Sequence, residues 1–207
     1  MATTAWLAGV DPRMETALEI RPPHWVGDDE IVELERRFEP LLFERFADGT
    51  LLVSPPCGLL GGERSMRLSF EVAAWARATK LGIAFGANAG FTFPGNALFS
   101  PDATYVARER WEAVPPAERE GFAALVPDAA FEMLSKSDSV RATRRKVAAY
   151  LHDGVRLVVL IDPYRRRTYV GRTGDDDAVD LGDVAGVDCS PVMPGFVLDV
   201  GSILDVA

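Results

Sequence analysis

Asp102 and Glu132 are the residues of this 207-residue chain best placed to do chemistry. Asp102 follows Ser100-Pro101. A proline at a strand's mouth stiffens the entry and cannot donate to a central ladder, so it holds the next residue in place. Glu132 lies inside Ala-Ala-Phe-Glu-Met-Leu (129–134). An ionised side chain in such a run is costly unless it is paired or binds a metal. Carboxylates from two neighbouring strands can hold one Mg2+ or Mn2+, hard ions that take oxygen ligands. The backbone carbonyl of Met133 is a further candidate ligand. Such an ion can activate water and neutralise charge developing on a phosphodiester. The competing reading makes Asp102 a turn residue and pairs Glu132 with an arginine.

Four further groups carry weaker signals. Lys146 stands on the helix after the Glu132 strand and could reach back toward the attacking water or a phosphate; it could equally belong to a solvated basic face. Glu44, beside Phe43, is either a second carboxylate for the site or an ordinary exposed strand acid. Arg64 and Ser65 open a helix, where a phosphate contact is favoured, though simple helix-start chemistry explains them too. Arg141, Arg144 and Arg145 make a basic strip suited to positioning a nucleic-acid backbone. His24 and His152 have no triad partners, and the glycines from Gly82 to Gly90 lack both a P-loop lysine and a dinucleotide fingerprint. Cys57 and Cys189 are far apart with no CxxC pair, which argues for free thiols rather than structural zinc.

These residues need elements to position them. Asp28 and Asp29 can cap a helix running to about Glu39, with Ile31, Leu34 and Phe38 on one face and Pro40 ending it. Leu41–Phe46 and Thr50–Val53, joined through Asp48-Gly49, read as a hairpin. The spacing predicts a helix over 63–80 that presents Met66, Phe70, Ala73, Ala74 and Arg77 on one side. Short strands follow at 83–86 and 90–93, then 103–107 opened by Asp102, then 128–134. Ser135–Ser139 form a loop that caps a helix from Val140 to Asp153 with Val140, Val147, Tyr150 and Leu151 inward. Arg156–Ile161 reads as a strand whose run Leu157–Ile161 is continuously apolar, as in a strand buried on both faces, and 168–171 pairs back on it. Residues 173–186 read as a solvent-facing acidic loop. The expected fold is α/β, a mixed sheet flanked by helices with an N-terminal helix and hairpin, in a single domain over 1–207 whose residues 1–25 form an arm.

Charge bears on the partner. Thirty-one acids against 22 bases leave a net charge of −9, which slows encounter with a polyanion. Position matters more than the total, since acids crowd 175–188 and bases crowd 141–146. No apolar run approaches the roughly 18 residues of a membrane span, and Met1–Val10 carries no basic n-region. The cytoplasm is therefore the expected location, with no membrane partner.

Blocks of the chain also resemble a known family. They include Phe-Glu-Arg-Phe-Ala-Asp-Gly-Thr-Leu-Leu-Val-Ser-Pro (43–55), Gly-Phe-Thr-Phe-Pro-Gly-Asn (90–96), Ser-Pro-Asp-Ala (100–103) and Phe-Glu-Met-Leu-Ser-Lys-Ser-Asp-Ser (131–139). Lys146 with Tyr150 and Gly154, Leu-Ile-Asp-Pro (160–163) and Met-Pro-Gly-Phe-Val-Leu-Asp (193–199) complete the order. From about Leu41 to Leu204 the chain resembles the Uma-type family of bacterial restriction-endonuclease-like proteins, a branch of the PD-(D/E)XK superfamily. The resemblance implies a restriction-endonuclease-like sheet core, a metal at Asp102 and Glu132 with Glu44 nearby, and a Mg2+- or Mn2+-dependent endonuclease acting on DNA. One departure matters: the superfamily places a lysine two residues after the glutamate, and this chain has Leu134. Lys146 is the candidate to take its place. Two other readings stay open, a nuclease-fold binding or regulatory module without catalysis and a hydrolase of small phosphate esters. A homodimer is compatible with nuclease chemistry, because many nucleases cut duplexes as symmetric pairs, but no segment marks its interface.

Overall fold

The computed structural model describes residues 4–205. The first three residues of the expected arm and the last two of the chain lie outside the described residues. In chain order the elements are β1 (Leu18–Ile20), α1 (Asp28–Arg37), β2 (Leu42–Arg45), β3 (Leu51–Ser54), α2 (Leu59–Thr79), β4 (Gly82–Gly86), β5 (Phe91–Thr92), β6 (Leu98–Phe99) and β7 (Ala103–Ala107). Then come α3 (Arg108–Ala113), β8 (Ala129–Met133), α4 (Val140–His152), β9 (Leu157–Asp162), β10 (Arg167–Arg172), β11 (Val179–Gly182), β12 (Val187–Asp188), β13 (Val197–Leu198) and α5 (Val200–Leu204).

The strands form two main sheets. A six-stranded mixed sheet has the order β11-β10-β9-β8-β7-β4, and an antiparallel five-stranded sheet has the order β1-β3-β2-β6-β5. β8 and β9 are the parallel pair, joined by α4, and the uninterrupted apolar run of β9 is buried at every position. That burial matches a central strand covered on both faces.

Period-two alternation sorts the side chains of β8. Ala129, Phe131 and Met133 join one core with Leu68, Val72 and Ala76 of α2 and the C-terminal segment. Ala130 and Leu134 point the other way, into a core made by Ala142, Val147 and Tyr150 of α4 and by Phe46, Leu52 and Phe99 of the five-stranded sheet. Glu132 shares that second face. β2 sorts the same way. Phe43 packs with Ile31 and Leu34 of α1, so Glu44 turns inward, toward the second core. The Asp48-Gly49 hairpin supplies the register, with Glu44 opposite Leu52 and Gly49 at a φ of 81°.

Several expectations are corrected. α2 starts at Leu59, and its buried face is Arg64, Leu68, Val72 and Ala76. Met66 and Phe70 are exposed, on the opposite side from the core. On α4, Val140 is exposed and Lys146 is buried instead. Within the expected capping loop Ser139 is the cap of α4, its hydroxyl accepting from the Ala142 N–H, whereas α1 starts behind Gly27 with Asp28 and Asp29 inside its first turn and no side-chain cap. The acidic segment 173–186 is not all loop, because β11 pairs antiparallel with β10. Its acids are neutralised there, Asp177 by Arg144, Asp180 by Arg167 and Asp183 by Arg166. The early arm is also incorporated: β1 pairs with β3, and Leu7 and Val10 are buried against α1. Among the described residues no helix is long and apolar enough to cross a membrane.

Candidate metal centre

Strand register brings the two leading carboxylates together. Ala103 pairs with Phe131 in the antiparallel β7–β8 ladder. Continuing that register by one residue sets Asp102 across from Glu132, at the mouth of β7 and near the end of β8. The half-buried Asp102 is held from two elements. The Met133 N–H donates to its Oδ2 at 2.8 Å, and the Ser65 hydroxyl of α2 lies 3.4 Å from its Oδ1. Ser69, one turn along α2, donates to the Asp102 carbonyl at 3.0 Å.

Glu132 meets α4. Lys146 Nζ lies 2.9 Å from Glu132 Oε1 and 2.9 Å from Glu44 Oε1, so one ammonium bridges β8 and β2. Tyr150 Oη donates to the same Glu132 Oε1 at 2.6 Å. The Ser100 N–H donates to Glu44 Oε1 at 2.8 Å. Tyr150 was not among the sequence candidates for the site. Its signal was present, because Lys146 and Tyr150 are four apart on one helix and therefore share a face. Its ring is fixed by stacking on Phe93 and by an edge contact with Phe99.

The electrostatics follow from crowding. Burial, and then the charge of Glu132, pushes Asp102 up to about 7. Burial likewise raises Glu132, against the opposing pull of Lys146. Burial alone would lower Lys146, but Glu132 and Glu44 outweigh it and hold the lysine charged well above its ordinary value. Burial and the same glutamates keep the Tyr150 hydroxyl protonated. Glu132 and Glu44 thus share one cation with Asp102 set across from Glu132, and this crowding of acid is the observation that fits a divalent ion. The donors are hard oxygens, and no hydrogen bond occupies Glu132 Oε2 among the described residues. Both features suit Mg2+ or Mn2+. No three His, Cys, Asp or Glu side chains among the described residues gather closely enough to hold an ion by themselves. A metal here would therefore need backbone oxygen or water to complete its shell.

The centre opens into a cleft of about 660 Å3. Met133, Leu134 and Ser65 line it, as do six carboxylates (Glu35, Glu39, Glu44, Asp102, Glu132, Asp138) and a single base, Lys146. Leu134 lies two residues after Glu132 and so on the same face of the strand. Lys146 delivers an ammonium, from the helix, to Glu132 on that same face.

The expected phosphate contacts fare differently. Ser65 reaches the cleft, but Arg64 is buried outside it and donates to the Leu204 carbonyl at 3.3 Å. Its position on the inner face of α2 turns it toward α5 instead of toward a ligand. Arg144 and Arg145 are committed as well. Arg144 pairs with Asp177 and lies over Tyr169, while Arg145 pairs with Glu19 and Asp48 and lies over Phe46. Arg141 is exposed and has no ion-pair partner among the described residues. The basic strip is thus largely a set of ties between elements.

The fold and centre define an α/β protein whose helix-flanked mixed sheet meets a second sheet at a buried carboxylate–lysine cluster. The chain belongs to the Uma2 family, described as "Putative restriction endonuclease", whose family model matches residues 28–201. The resemblance carried by the sequence blocks is borne out by that match. A solved structure described as "a putative nuclease belonging to DUF820", from Anabaena variabilis, is similar with a TM-score of 0.66 and 18% identity, over 79% of this chain and 89% of that one. At that identity the likeness is one of fold. No curated protein matches the chain.

Proposed function

We propose that this chain is a metal-dependent endonuclease of the PD-(D/E)XK type that hydrolyses DNA phosphodiester bonds at Asp102 and Glu132. The observation that carries the reading is a buried lysine held between Glu44 and Glu132, with Asp102 set across from Glu132 by strand register. Asp102 and Glu132 would hold Mg2+ or Mn2+, with the Met133 carbonyl as a further oxygen. The ion would supply Lewis acidity toward the phosphodiester and a more acidic bound water. The chain's own residues do the rest. The Met133 N–H anchors one Asp102 oxygen, and the other has the longer 3.4 Å contact from the Ser65 hydroxyl. Lys146 and Tyr150 both take Glu132 Oε1, which fixes the carboxylate and leaves Oε2 available. Glu44 holds Lys146 at the cleft wall, where its ammonium is the local positive charge for an approaching phosphate or water.

One observation favours a second reading, a nuclease-fold binding or regulatory module. The cleft is lined by six carboxylates and one lysine, and such a wall repels DNA phosphates unless a cation intervenes. Calorimetric titration of Mg2+ and Mn2+ into wild type and Asp102→Ala, with plasmid nicking on the same samples, separates the two. Metal binding and nicking that both require Asp102 are expected. Nicking that persists in a clean Asp102→Ala preparation overturns the assignment, and metal binding without nicking moves the conclusion to the binding module.

A further inference from the structure

A second cavity, of about 550 Å3, adjoins the carboxylate cleft. The two share Asn88 and Phe122, so the Phe122 ring belongs to both walls. Gly90 sets the place of that ring. A Cβ there would come 2.5 Å from Phe122 Cδ1, so a side chain at this position would push the ring away from the backbone between β4 and β5. Phe85, Phe91 and Trp111 supply the rest of the aromatic lining, with Phe91 and Trp111 each packed edge to face on Phe85. A concave, mostly apolar site of this size with a few polar groups is the usual form of a small-molecule pocket.

The polar groups select the ligand. Arg119 is committed: it donates to the carbonyls of Val114, Trp111 and Glu112 and lies over the Trp111 ring. Asp28 Oδ1 accepts from Arg45. Asp29 and Asn88 are exposed on the wall, and neither side chain makes a hydrogen bond or ion pair among the described residues. The cavity thus offers carboxylate acceptors and an amide but no uncommitted cation, which disfavours a phosphate and suits a planar ring with N–H donors. Aromatic side chains stack any base, so the carboxylate does the choosing. Guanine turns two adjacent donors, N1–H and the 2-amino group, toward a carboxylate that can only accept, and leaves O6 for an amide N–H. Thymine has one N–H set between two carbonyls, which a carboxylate repels.

We infer that this second cavity is a nucleobase subsite that prefers guanine: the aromatic walls hold the ring, Asp29 accepts its N1–H and 2-amino donors, and Asn88 donates to O6. The choice of a nucleobase over other planar amines rests on the reaction proposed for the adjoining cleft, since a strand crossing that cleft runs past the Phe122 wall. The base must leave its stack to enter, as in a single strand or a flipped nucleotide.

The test is saturation-transfer NMR of the full chain with each of the four deoxynucleosides in chelator. The probes carry no phosphate and no metal is present, so the cavity is read apart from the carboxylate centre. Deoxyguanosine should bind in roughly the millimolar range and at least about fivefold more tightly than thymidine. Asp29→Ala changes an exposed side chain and should melt close to wild type. It should weaken deoxyguanosine about tenfold and leave thymidine within about twofold. Phe122→Ala should weaken all four alike, by about fivefold or more. Absence of deoxyguanosine binding, a thymidine affinity equal to it, or a guanine preference that survives Asp29→Ala overturns the proposal. None of these results bears on nicking, which stands or falls with Asp102→Ala, and deoxyguanosine binding in a protein that does not nick keeps the subsite while removing the reaction.

Discussion

Lys146→Met removes the one cation held between the buried Glu44 and Glu132, and its consequences can be worked through. The lysine side chain is 7% exposed and makes two contacts of 2.9 Å, to Glu44 and Glu132. At an effective dielectric near 20 each contact has a gross attraction of about 5–6 kcal/mol. Desolvation of the three groups offsets much of the sum, and removing one member of a buried ion pair typically costs about 3–5 kcal/mol. That is the loss expected at pH 8 in chelator. Without the ammonium, Glu132, already raised by burial, rises further in the folded state. A carboxyl whose folded pKa exceeds its unfolded value binds more protons when folded, so stability falls as pH climbs from the unfolded value through the folded one. The loss should therefore shrink as pH falls toward 4, where Glu132 is largely protonated in both states. Urea unfolding of wild type and variant at pH 4 and pH 8 measures both values. Lys146→Met/Glu132→Gln should be more stable than Lys146→Met at pH 8, and saturating Mg2+ should restore part of the loss. A cost below about 1 kcal/mol at pH 8, in the range of an exposed pair, would mean that the carboxylates are solvated and that the cluster is not the acid-crowded site described above.

Two other expectations are independent of that one. Burial and Glu132 push Asp102 up to about 7, so Mg2+ bound there must displace its proton: proton release on binding should be greater at pH 6 than at pH 8, with affinity rising across that window. Calorimetry in buffers of different ionisation enthalpy reads the release, and a release that does not change with pH, or that persists in Asp102→Ala, refutes it. Arg145→Ala removes pairs to Glu19 and Asp48 and the contact over Phe46. It should cost about 1–2 kcal/mol of stability and leave the affinity for DNA unchanged in a filter-binding assay at fixed salt, whereas a phosphate-binding arginine would show the reverse.

Much of the frame was legible because local rules decide it. The Asp48-Gly49 hairpin, the capping loop before α4 and the apolar run Leu157–Ile161 of β9 each follow from a few adjacent residues, and the structure has them at those places. Asp102 and Glu132 were legible for a related reason. An acid at a proline-stiffened strand mouth and an acid inside an apolar strand both lack an inexpensive local explanation. The blocks from Phe43 to Asp199 identified the family.

What the sequence could not determine was phase and partnership. A period of 3.6 shows that α2 is a helix but not which of its two apolar stripes meets the core; packing against β4 and β7 chose Leu68, Val72 and Ala76 and left Met66 and Phe70 outside. The basic run at 141–146 reads as one strip, yet the fold buries Lys146 between Glu44 and Glu132 and ties Arg144 and Arg145 to acids up to 126 residues away in the chain. Asp177, Asp180 and Asp183 looked like a solvated loop until β11 found β10. Sequence spacing therefore established the elements and their order. The charge balance of the centre depends on residues from β2, β7, β8 and α4 converging, because Coulomb energies depend on distances between segments that only the closed fold fixes.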